Sequence, residues 1–200
     1  MAKYTKHINH GQIKLAGNKK MSSRLGNFIT PSEVMDISLE EIAKYSPDPD
    51  PKIALAAIKY SFLKQKAGPD VVYSPESAVQ IQGNSGPYLL YSLVRAKSII
   101  VKANQKNVSS QDSSLDPAER LLSVYMARFN DIIMECVNNL NPSLLCTYLY
   151  ELSKEFNSFY EKNRILESPR QLQRLYLLQK YLEILKKGLS ILNIEEVEKI

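Results

Sequence analysis

A mostly α-helical fold is what this sequence predicts, on three observations. Proline recurs just after residues able to cap a helix. Leucine-rich stripes step along the chain by three and four. Strand signals are all but absent beyond residue 30.

The first thirty residues stand apart. His10-Gly11-Gln12-Ile13-Lys14-Leu15 alternates polar and apolar, a short strand signal, and runs into the turn-rich Gly17-Asn18-Lys19-Lys20. Thr30-Pro31-Ser32-Glu33 then opens a helix: Thr30 can cap, Pro31 suits the first turn, and Glu33 can close a capping box. The device recurs with variations at Ser74-Pro75-Glu76, Asp116-Pro117-Ala118-Glu119, Asn141-Pro142 and Ser168-Pro169.

Between these starts the apolar residues keep helical period. Leu122, Met126, Phe129, Ile133, Cys136 and Leu140 make one stripe, and Leu145, Leu149, Leu152, Phe156 and Phe159 a second. Leu175, Leu178, Leu182, Leu185, Leu189 and Leu192 make a third. Three stripes joined by short connections predict a helical bundle around one core. The polar stretch Asn104–Ser114 is expected to be an exposed linker.

Composition is that of an ordinary globular chain: 200 residues, 44% hydrophobic and 24% charged. No apolar run reaches a membrane span and the basic start lacks a signal-peptide core, so the cytosol is expected. Cys136 and Cys146 sit in apolar helical patterns and read as reduced, packed thiols. His7 and His10 have no companion ligands, so no protein-bound metal is expected. The net charge of +5 is uneven: residues 1–70 hold 11 Lys/Arg against 7 Asp/Glu, and no acid precedes Glu33. A one-sided basic segment attracts a polyanion such as nucleotide phosphate or RNA, though it also suits a solvated tail.

Lys20-Met21-Ser22-Ser23-Arg24, followed by Leu25-Gly26-Asn27, carries the chemistry. Two cations and two hydroxyls on a loop between strand and helix can close over a triphosphate and neutralise charge at an attacked α-phosphate. The glycine pattern of a P-loop is missing. The string resembles the second ATP motif of class I aminoacyl-tRNA synthetases. Further blocks resemble arginyl-tRNA synthetases: Ala57-Ile58-Lys59-Tyr60, Gln82-Gly83-Asn84-Ser85-Gly86-Pro87-Tyr88-Leu89-Leu90-Tyr91, Asp116–Arg120, Leu145–Leu152, Phe156–Tyr160 and Lys187-Gly188-Leu189 follow in the family's order over residues 7 to 195. Gln82 stands where that family usually has glutamate.

That resemblance implies a C-terminal part of the catalytic domain over residues 1–70, a short α/β remnant. A helical anticodon-binding domain is implied over 71–200. It implies Lys20 and Arg24 as catalytic residues at ATP, supported by Ser22 and Ser23, with the backbone of Gly11 to Ile13 near the adenine ring. The substrates implied are ATP with Mg2+, L-arginine and tRNA(Arg), handled by a monomer. The family's His-x-Gly-His motif and arginine pocket are expected upstream, so these 200 residues alone are expected not to charge tRNA. A non-catalytic tRNA-binding module derived from such an enzyme is the alternative, and a plain helical scaffold the third reading.

RNA loops are read by splaying bases onto aromatic or guanidinium faces. Tyr88, Tyr91 and Arg95, at i, i+3 and i+7, share one helix face. Such a trio serves either core packing or base stacking, and the resemblance favours a tRNA-facing or interdomain role. Tyr148 and Tyr160 flank the second stripe, Tyr150 points away from it, and Tyr160 is the chosen RNA contact. Lys154, Lys162, Arg164, Arg170 and Arg174 offer phosphate contacts, though most of them read equally as ordinary solvated charges.

Overall fold

The computed structural model describes residues 7–15, 30–103 and 114–200. Helix starts follow the capping side chains. In α1 (Pro31–Ala43) Thr30 Oγ1 accepts from the Glu33 amide at 3.2 Å, and Glu33 Oε2 accepts from the Thr30 amide at 2.7 Å. Asp50 caps α2 (Pro51–Leu63) through the Lys52 amide, a start not among those read from sequence. Ser74 caps the single turn α3 (Pro75–Ala78). Asp116 and Glu119 form a second capping box on α5 (Pro117–Ala127). Each such cap satisfies first-turn amides that the helix leaves unpaired, which typically stabilises by ~1 kcal/mol.

Two expected elements differ. The stripe from Leu122 to Leu140 is not one helix. It breaks at Arg128 into α5 and α6 (Phe129–Asn139). The Tyr148 hydroxyl donates to the Tyr125 carbonyl at 3.0 Å, so a side chain takes up a carbonyl where α5 ends. Leu122 and Met126 are buried, whereas α6 buries no residue fully. The second difference concerns Ser168, which does not cap. Its hydroxyl donates to the Ile165 carbonyl, and α8 (Gln171–Ile191) starts later, with Gln171 Oε1 accepting from the Glu167 amide at 2.6 Å.

The other two stripes behave as expected. Leu145, Leu149, Leu152, Phe156 and Phe159 are the buried face of α7 (Ser143–Lys162), and Leu175, Leu178, Leu182, Leu185 and Leu189 that of α8. Both pack with α4 (Gly86–Ala103) around a core that continues through Ala54, Ala57 and Tyr60 of α2. Gly86 permits that last junction, since a Cβ there would sit 2.3 Å from the Ala56 carbonyl oxygen. Beyond α8 the chain returns over the bundle, burying Ile194 and Val197. Glu196 pairs with Lys97 at 2.9 Å and Lys186 at 3.1 Å.

The strand content is small. β1 (Ile13–Leu15) pairs in parallel with β2 (Val71–Tyr73), Ile13 opposite Val71, so the expected N-terminal segment is joined to the residues just past 70. The stretch 104–113 lies outside the described residues.

Candidate nucleic-acid interface

Helical periodicity alone brings Tyr88, Tyr91 and Arg95 to one face of α4, and packing turns that face towards the end of α7. Arg95 is the centre. Its guanidinium carbon lies 4.6 Å from the Tyr91 ring centroid and 5.4 Å from that of Tyr160, so the cation sits between two phenol faces. Such contacts are worth about 0.5–2 kcal/mol each, depending on desolvation. Arg95 Nη1 donates to Asn157 Oδ1 at 2.9 Å, and Nη2 donates to the Tyr91 hydroxyl. Tyr88, Tyr91, Arg95 and Tyr160 are therefore gathered in one place.

What the sequence reading missed is the hub. Asn157, on the buried face of α7, donates through Nδ2 to the Tyr88 hydroxyl at 3.0 Å and the Ser92 hydroxyl at 3.3 Å. Ser92 meets the Tyr181 hydroxyl at 2.6 Å, and Tyr181 donates to Ser153 at 3.1 Å. A polar chain thus runs from the Arg95 surface through α4, α7 and α8 into the core. Burial raises the Tyr181 phenol above its usual pKa, against the lowering hydrogen bonds of Ser153 and Ser92. Burial likewise raises Tyr88, against its bond to Asn157. Both remain neutral phenols. The available signal was polar Ser153 and Asn157, four apart, inside an otherwise apolar stripe.

The tyrosines divide more sharply than the stripe predicts. Tyr148 is buried and tied to the end of α5. Tyr150 packs its ring 5.5 Å from that of Tyr88. Tyr160 is 39% exposed and stands at the rim. Among the expected phosphate contacts, Arg170 and Arg174 are turned inward. Arg170 Nη2 reaches Glu119 Oε2 at 2.5 Å; Arg174 reaches Glu119 Oε1 and Asp116 Oδ2, each at 3.1 Å. Glu119 is fully buried. Desolvation would raise its pKa, but Arg170, the Asp116 amide and Arg174 outweigh that and hold it below the ordinary carboxylate value. These two arginines secure α5 to α8 and are unsuited to phosphate.

Beside Tyr160 lies a groove of about 620 Å³ between the C-terminal turns of α4 and α7 and the turn 163–167. Lys102, Arg164 and Arg95 line it together with Glu161 and Glu167, and Arg164 pairs with Glu167.

At the other end, Gly11 and Ile13 lie together on and beside β1. A Cβ on Gly11 would meet the Pro69 carbonyl at 2.2 Å, so close approach to residue 69 demands glycine. Gln12 donates its amide to Asp70 Oδ1 at 2.8 Å, and Lys14 pairs with Asp70 at 2.6 Å. Lys20, Ser22, Ser23 and Arg24 lie outside the described residues. No helix among the described residues is long and apolar enough to cross a membrane.

Comparison with known proteins places this geometry. The model of the DALR anticodon binding domain matches residues 89–200. An arginine–tRNA ligase of Clostridium botulinum (strain Langeland) is 31% identical over 98% of the chain, and one of Clostridium kluyveri is 30% identical over the same share. The chain spans 37% of the length of these relatives. Among solved structures, Thermus thermophilus arginyl-tRNA synthetase superposes with a TM-score of 0.84 at 27% identity, over 96% of this chain and 35% of that one. The Plasmodium falciparum arginyl-tRNA synthetase gives 0.71 at 27% identity, over 84% of this chain and 32% of that one. The matched span takes in Arg95, Asn157 and Tyr160, and by that match the chain belongs to the DALR anticodon binding domain family.

Proposed function

We propose that this chain is the part of an arginine–tRNA ligase that holds the anticodon arm of tRNA(Arg) and carries one ATP loop. The observation that carries the reading is the coincidence of two spans. The anticodon-binding family covers residues 89–200, while arginine–tRNA ligases align over 98% of the chain, including residues ahead of that domain.

In this reading residues 71–200 bind tRNA, with Tyr88, Tyr91, Arg95 and Tyr160 as the contact surface. Residues 1–70 belong with the catalytic domain. Lys20 and Arg24 neutralise the phosphates of Mg2+-bound ATP, Ser22 and Ser23 hydrogen-bond them, and the Gly11–Ile13 backbone lies along the adenine. The reaction served is ATP-dependent attachment of L-arginine to tRNA(Arg) by a cytoplasmic monomer. A guanidinium already held between two phenols suits RNA, because its orientation costs no further entropy on binding.

The test is a titration of the chain with tRNA(Arg) at several salt concentrations. Binding is expected to weaken linearly in log–log form, with a slope reduced by about 0.7–0.9 per phosphate contact removed. Arg95→Ala is expected to weaken binding about tenfold or more. Binding that ignores salt and survives Arg95→Ala unchanged would overturn the reading. For the ATP loop, Lys20→Ala in a ligase carrying this segment is expected to lower ATP–pyrophosphate exchange about a hundredfold, the scale of losing one charge-stabilising donor. Unchanged exchange would remove Lys20 from that role.

A further inference from the structure

We propose that Tyr60 and Asn84 are positioning residues for the RNA-contact face: the buried Tyr60 hydroxyl sets the register of α4 on α7, and so holds Arg95 between its two phenols. This rests on the tRNA-binding reading and adds to it how the contact face is kept in place.

Three of the blocks singled out in the sequence meet at this one hydroxyl. Tyr60, on α2, is fully buried. Its hydroxyl lies 2.5 Å from Asn84 Oδ1, in the loop before α4, and 2.9 Å from the Cys146 carbonyl oxygen at the start of α7. Burial raises the phenol above its usual pKa, so it keeps its proton and donates. Asn84 is gripped a second time. Lys64 Nζ, just past the end of α2, donates to the Asn84 carbonyl at 2.8 Å. Thus α2 holds both the side chain and the main chain of one residue.

That grip passes directly into α4. Ser85, itself buried, accepts from the Tyr88 amide at 3.1 Å and donates to the Gln80 carbonyl, which closes the loop on the helix start. From there α4 and α7 run side by side in one direction, as their contacts show in order. Asn84 and Cys146 share Tyr60, then the Tyr88 and Tyr150 rings meet at 5.5 Å. Asn157 follows at 2.9 Å from Arg95, and the Tyr160 ring at 5.4 Å. The clamp on Arg95 takes one phenol from each helix, so it closes only in this register. A slide by one residue's rise is about 1.5 Å. A binding group must be held within roughly 0.5 Å, so even that slide is too much.

Titration of the 200-residue chain with tRNA(Arg), followed by fluorescence anisotropy, tests the role, with urea unfolding of each variant alongside. Tyr60→Phe and Asn84→Ala are each expected to weaken binding about fivefold, the scale of one hydrogen bond. The double variant should lose no more than about tenfold, because both changes remove the same bond. Tyr73→Phe is the control: it takes an equally buried hydroxyl from Ser38, 2.8 Å away on α1. It is expected to cost comparable stability yet change binding less than twofold. Beside Arg95→Ala, the Tyr60→Phe penalty should fall below about twofold, since the register acts through the clamp. If the chain binds tRNA but Tyr60→Phe and Asn84→Ala bind like Tyr73→Phe, the positioning role falls and the tRNA reading stands. A penalty undiminished beside Arg95→Ala would have the same meaning. If the wild-type chain fails to bind tRNA(Arg), the tRNA reading itself falls, and the positioning role with it.

Discussion

The bundle contains two buried polar clusters, and they are built on opposite principles. Around Asn157 the groups are neutral apart from Arg95, and the chain of hydrogen bonds runs outward to Tyr91 and Tyr160. Around Glu119 they are ionic and closed: two carboxylates face two guanidiniums, and Glu119 has no exposure. A closed ionic cluster fixes the register of α5 on α8 but has little left to offer a ligand. The open neutral cluster ends at Tyr160, 39% exposed at the rim, which is the surface proposed above to meet RNA. Both use arginine, yet only Arg95 has its faces set between aromatic rings at the edge of a groove. Arg174 also lies over a ring, that of Phe159, but it is committed to two carboxylates, whereas Arg95 meets only neutral partners; the partners differ, not the residue type.

The largest effect expected from breaking this contrast is at Glu119. Glu119→Ala leaves the partly exposed Arg170 and Arg174 with Asp116 alone and should destabilise by about 3 kcal/mol, the low end for a broken buried pair. Thermal or urea unfolding followed by circular dichroism measures it. A loss below ~1 kcal/mol would mean that the cluster is relaxed by solvent.

Acid should expose the same cluster. The folded pKa of Glu119 lies below its ordinary 4.5, so the stabilisation is complete above that value and is lost as pH falls through the folded pKa. Asp116 is lowered likewise. Unfolding free energy is therefore expected to drop below about pH 4.5, and Glu119→Ala should flatten that drop. An equal acid dependence in both proteins would relieve Glu119 of the role.

Asn157→Ala comes next. It strips partners from Arg95, Tyr88 and Ser92 and should cost about 1–3 kcal/mol. Unlike Glu119→Ala, it should also weaken tRNA binding, because Arg95 loses the anchor that holds it between the phenols. Equal binding losses in the two variants at a temperature where both are folded would erase the distinction between the clusters.

The smallest effect belongs to the exposed Arg164–Glu167 pair. Glu167→Gln should change stability by less than about 1 kcal/mol.

Much of this was legible in sequence because it is local. Capping boxes at Thr30 and Asp116 act within four residues, and the stripes of α7 and α8 need only a period. The gathering of Tyr88, Tyr91 and Arg95 on one face is likewise a matter of spacing. The rest depended on partners far along the chain. Asn157 lies 62 residues from Arg95, and Glu119 lies 51 from Arg170. No pattern within one helix announces which of five cations turns inward. The break at Arg128 escaped for the same reason, since the tyrosine that meets the α5 carbonyl comes from α7. The ATP loop was the most specific local string, yet Lys20, Ser22, Ser23 and Arg24 fall outside the described residues, so their roles rest on resemblance.

The most direct measurement of the central claim compares two transcripts on the same chain: tRNA(Arg), and the same tRNA with its anticodon exchanged for another. An anticodon-arm reader should bind the exchanged transcript at least tenfold more weakly at physiological salt, with Arg95→Ala and Tyr91→Ala narrowing the gap. Equal affinity for the two transcripts would contradict the account and leave only general attraction to RNA.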